Sequence, residues 1–143
     1  MRLAYWNGTV WAIGNGLAST TLVIYLALEL NSPRLGLGIS LILAAPNMVG
    51  VLRLAAPALI GRLANRKQFC VATYLSGAVV LAGLPMMAAP GRMGSPAASL
   101  SALVMLWCVY HLLEYAGTIA LWSWLADLVP LPIRGRFIGI RQR

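Results

Sequence analysis

The stretch LSALVMLWCVYHLLEYAGTIALWSWLADL, residues 100–128, contains no lysine or arginine, and its only carboxylates are Glu114 in the middle and Asp127 at the end. A bilayer core is crossed by about 20 mostly apolar helical residues at about 1.5 Å rise each. The run therefore spans hydrocarbon and projects beyond it. Trp122 and Trp124 near its end suit the aromatic belt of a membrane interface.

Three further runs share this character. Thr9 to Leu30 is free of charge until Glu29, Leu35 to Ile60 is interrupted only by Arg53, and Phe69 to Ala89 lies between the Arg66-Lys67 pair and Arg92. The expected fold is an all-α polytopic membrane protein, one membrane domain over 1–143, with four transmembrane helices at about 9–30, 35–60, 69–89 and 100–128. Residues 129–143 are expected to form a cytoplasmic loop, with Phe137 to Ile140 resembling the start of a fifth helix.

Composition excludes a soluble enzyme-like domain: 60% of the 143 residues are apolar and 10% charged, with a mean hydropathy of +0.80. The net charge of +8 does not indicate a nucleic-acid partner, because apolar spans separate the cations instead of one solvated face collecting them. The same cations obey the positive-inside rule. Arg2, then Arg62, Arg66 and Lys67, then Arg134, Arg136, Arg141 and Arg143 fall on one side of a four-span arrangement, and only Arg34 and Arg92 fall on the other. Both termini and the loop around Asn65 are expected to be cytoplasmic, in a bacterial-type inner (plasma) membrane.

Chemistry-bearing residues are few. Cys70 and Cys108 differ in depth and read as packing residues, and no spacing of Cys, His, Asp or Glu resembles a structural zinc site. A single His111 and three carboxylates assemble neither a nucleophilic triad nor a phosphate-cradling loop. No enzyme activity, metal or cofactor is expected.

Proline and small residues address packing. Pro46 and Pro57 each remove a backbone donor from the second span, so a kink is expected there. Gly14, Gly16, Ala18 and Ser19 on the first span, with Ser76, Gly77 and Ala78 on the third, permit close helix approach in lipid.

Two loop segments bear a resemblance. Gly61-Arg62-Leu63-Ala64-Asn65-Arg66 resembles the G-x-L-A-D-R-x-G-R-R signature of the major facilitator superfamily, and Asp127-Leu128-Val129-Pro130 with Arg134-Gly135-Arg136 and Gly139 is similar to its D-x-x-P-x-x-x-R-G-x-x-x-G pattern. The resemblance implies that Gly61, Asn65, Arg66, Asp127, Pro130, Arg134, Gly135 and Arg136 belong to conformational-switch loops. It departs at Asn65, which stands where the family has an aspartate that helps latch one conformation, and at Gln68, Phe69 and Cys70, which replace a glycine and a basic pair. The R-x-x-Q-G type motif of drug/proton antiporters is absent from the fourth span.

Members of that family have two six-helix halves with the substrate site between them. The resemblance thus implies the N-terminal part of a secondary active transporter, truncated after four of twelve helices, which moves a small solute by alternating access and needs remaining transporter helices or another membrane subunit. Two alternatives come from other classes. One is a non-transporting four-helix membrane protein that assembles with or regulates a partner; the other is a small dimeric four-span exporter, although Glu29 sits at the outer end of the first span.

Ionisable groups inside spans are the candidates for a solute path, because they are costly against lipid. Arg53 lies eight residues before Gly61, about 12 Å along a helix, where it either snorkels to the headgroups or faces a cavity. Glu114 lies thirteen residues before Asp127, about 20 Å along, with His111 one turn further out on the same face. His111 and Glu114 are either a mutually satisfied polar pair or a substrate and proton pathway. The expected partners are the lipid bilayer and a small-molecule substrate with proton coupling.

Overall fold

The computed structural model describes Gly14, Gly16, residues 19–51, Gly61, and residues 65–89 and 92–128. These form four helices, α1 (Thr20–Glu29), α2 (Leu35–Val51), α3 (Arg66–Ala88) and α4 (Pro96–Leu128), with no strand among the described residues.

The helix starts follow their caps. Asn65 precedes α3 and its side-chain oxygen accepts from the Gln68 N–H at 3.1 Å, so α3 begins three residues before the apolar run at Phe69. Ser95 accepts from the Ala98 N–H at 3.2 Å, and Pro96 takes the first helical position, where a missing N–H costs nothing. Ser19 interrupts the first expected span: its backbone is extended (φ −71, ψ 146) and its side chain caps Thr20–Glu29, while Gly14 and Gly16 before it are helical. A serine hydroxyl competes with the helical backbone for donors, and here it takes that of Leu22. At the other end of α1, Asn31 adopts φ 43, a left-handed conformation that asparagine tolerates better than most residues.

Two of the four helices, α3 with 23 residues and α4 with 33, are long and apolar enough to cross a membrane. As described, α1 has 10 residues and α2 has 17, and the remainder of the second expected span, 52–60, lies outside the described residues. Only 22% of the apolar window of α3 and 28% of that of α4 are buried. Leu75, Val79 and Met105 are 63, 73 and 67% exposed. A contiguous apolar surface of this kind marks a partner or a membrane.

Helices α3 and α4 run antiparallel and share the most extensive contact, with α2 against the first half of α4. Close approach depends on two glycines. A Cβ at Gly117 would stand 2.8 Å from the Thr73 hydroxyl oxygen and 3.3 Å from the Tyr74 ring, and one at Gly38 would stand 2.7 Å from a Leu100 methyl. The Gly38–Leu100 approach places the Pro33 turn and the loop at Met93 at the same end of the bundle, opposite Arg66 and Asp127.

The main core gathers Val23 and Ala27 of α1, Ile42 and Ala45 of α2, Leu84 of α3, and Leu100, Leu103, Trp107 and Tyr110 of α4. At its centre the fully buried Trp107 donates its indole N–H to the Ile42 carbonyl at 3.1 Å. In an α-helix that carbonyl would accept from residue 46, which is a proline without an N–H. Trp107 supplies the donor that Pro46 removes, and α2 continues helical to Val51. A second, smaller cluster packs Cys70 against Ala120.

Candidate functional site

One residue from each of the two quoted segments, Arg66 and Asp127, meets the other at one end of the bundle. Arg66 Nη1 donates to Asp127 Oδ2 at 2.6 Å, a charge-assisted bond between side chains 31% and 61% exposed. Each charge opposes the dipole of its own helix, since Arg66 opens α3 and Asp127 closes α4. In the antiparallel pair each lies beside the neighbour's favourable terminus, and the ion pair joins them. Lys67 adds to this end, with its ammonium 6.0 Å from the Trp124 ring centroid.

Asn65 is the N-cap of α3. Its amide oxygen caps as a carboxylate would, without the charge.

The second group lies mid-way along α4. His111 Nδ1 stands 3.6 Å from Glu114 Oε2, beyond hydrogen-bond reach. The His111 ring is held by aromatic contacts, edge-on to Trp107 at 4.4 Å and tilted to Tyr110 at 5.3 Å. Its Nε2 is buried without a hydrogen-bond partner among the described residues. Glu114 keeps 36% of its side-chain surface exposed and lines a cleft of about 170 Å³ between α3, α4 and Gly14, with Thr73, Tyr74, Gly77 and Tyr110. Tyr74 bonds across the same interface to the Thr118 hydroxyl at 3.2 Å.

The structure therefore brings together Arg66 with Asp127, and sets His111 near Glu114. Gly61 is helical and exposed and stands outside both groups. Arg53, Pro130, Arg134, Gly135 and Arg136 lie outside the described residues, as does any fifth helix at Phe137–Ile140. Both cysteines are free, and no cluster of three metal-ligating side chains occurs among the described residues.

Sequence reasoning did not find Trp107, Gly117 or Gly38. Pro46 announced a freed carbonyl four residues before it; nothing in the spacing said that an indole on α4 would fill the gap. The cleft-lining tyrosines were equally hidden, because their positions depend on the register of α3 against α4. No family model matches the chain, and neither a curated protein nor a solved structure matches it.

Proposed function

We propose that the chain contributes the helices of a major-facilitator-type secondary transporter, which moves a small solute across the plasma membrane by alternating access. Helices α3 and α4 cross the bilayer with α1 and α2 packed against them, and the Arg66–Asp127 end is cytoplasmic. The observation that supports this reading is the 2.6 Å contact between Arg66 and Asp127, which ties the first residue of α3 to the end of α4, one residue from each of the two segments where the family resemblance lies. The exposed pair contributes only about 0 to 1 kcal/mol to stability. Its effect is to bias a conformational equilibrium, for which an energy of that size is sufficient. The apolar outer surfaces of α3 and α4 fit lipid contact.

The test is a charge exchange measured by solute flux in vesicles carrying the assembled transporter. Arg66→Asp and Asp127→Arg alone are each expected to reduce flux several-fold, and the double exchange to recover most of it. Unchanged flux in both single variants would remove the support for this reading.

A further inference from the structure

The cleft beside Glu114 carries chemistry of its own. Among the described residues its wall is apolar apart from one carboxylate, the Thr73 hydroxyl and the phenols of Tyr74 and Tyr110, and none of them is a lysine or arginine. The Thr73 hydroxyl is already engaged with the Phe69 and Cys70 carbonyls at 3.0 and 2.9 Å, and the Tyr74 hydroxyl with Thr118. Among the described residues the nearby group able to carry positive charge is His111, whose Nδ1 stands at 3.6 Å from the carboxylate and whose ring packs against Trp107 and Tyr110. Glu114 is thus a carboxylate in an apolar recess with no hydrogen-bonded cation among the described residues.

We propose that this cleft binds a small apolar monocation, an alkyl or aryl ammonium, with Glu114 as its counter-ion and the Tyr74 and Tyr110 rings as its walls. Charge pairing in a partly enclosed apolar recess is stronger than on the open surface, and electron-rich rings attract a cation within about 6 Å of their centroids. An anion would meet the carboxylate without a compensating donor. A neutral molecule would leave that carboxylate desolvated and unpaired. A volume of about 170 Å³ admits a single ring with a short chain rather than a large drug. Glu114 lies about 20 Å along α4 from Asp127, too deep for the headgroup of a bilayer lipid, so the ligand is a free amine. The inference names the solute class of the proposed transporter and rests on that reading for the depth of the cleft in the bilayer and the direction of entry.

Three probes of one shape test it: phenethylammonium, 2-phenylethanol and phenylacetate, titrated calorimetrically into the full chain in dodecyl maltoside micelles, which are nonionic and contain no amine. Phenethylammonium is expected to bind at least tenfold more tightly than the alcohol and the acid, and Glu114→Gln to erase that preference. Equal affinity for the ammonium and the alcohol in the wild-type chain would overturn the proposal without any variant. So would a preference that survives Glu114→Gln, or displacement of the ammonium by added phosphatidylethanolamine, which would assign the recess to a lipid. Binding without vesicle flux would remove the transport reading alone, and flux that responds to the Arg66 and Asp127 charges without ammonium binding would remove the cleft alone.

Discussion

The indole N–H of Trp107 reaches the Ile42 carbonyl at 3.1 Å, the carbonyl that Pro46 leaves without its helical donor. A buried acceptor left unpaired costs about 1–3 kcal/mol. Trp107→Phe is therefore expected to lower the stability of the bundle by at least that amount, with lost packing added. The bond itself is isolated by a double-mutant cycle with Pro46→Ala, which restores a main-chain donor to Ile42. Thermal unfolding in micelles should show a smaller penalty for Trp107→Phe in the Pro46→Ala background. Equal penalties in both backgrounds would mean that the indole acts by volume alone.

Gly117 permits the approach of α3 to α4. A Cβ there would lie 2.8 Å from Thr73 Oγ1, and that oxygen is fixed by its bonds to the Phe69 and Cys70 carbonyls. Gly117→Ala is expected to destabilise by about 1–3 kcal/mol as the helices move apart. Gly77→Ala makes the contrast. Its Cβ would meet Tyr110 at 3.8 Å and Leu113 at 4.0 Å, ordinary contact distances, and it should unfold within a degree or two of the wild-type chain. Similar losses for both variants would show that helix propensity, not interhelical contact, sets the response.

The cap at Asn65 is an acceptor without charge. Asn65→Ala removes the acceptor of the Gln68 N–H and is expected to cost about 0.5–2 kcal/mol. Asn65→Asp keeps the acceptor and adds negative charge at a helix N-terminus, a gain of about 0.3–1 kcal/mol at an exposed site. The order of unfolding temperatures should be Asp, Asn, Ala. An alanine variant as stable as the wild-type chain would mean that the hydrogen bond is incidental.

Much of the helical plan was legible because apolar length and charge placement are local properties. The runs at Phe69 and Leu100 became α3 and α4. The break at Ser19 was not legible, since a serine inside an apolar run is equally compatible with a helix interior. The choice of Arg66 as the partner of Asp127, and of Gly117 as the close-approach residue, depends on how α3 slides along α4. That register is a property of two helices together and leaves no mark in either alone.

The most direct test of a membrane-spanning bundle with its Arg66–Asp127 end in the cytoplasm is cysteine accessibility. In a Cys70→Ala, Cys108→Ala background, single cysteines at Pro33, Gln68 and Met93 are exposed to an impermeant maleimide in intact cells. Pro33 and Met93 share one end of the bundle and Gln68 lies at the other. Labelling at Pro33 and Met93 is expected in intact cells, and labelling at Gln68 only after permeabilisation. Gln68 labelled in intact cells while Pro33 and Met93 remain protected would contradict this orientation. All three labelled in a chain recovered from the soluble fraction would contradict the membrane assignment itself.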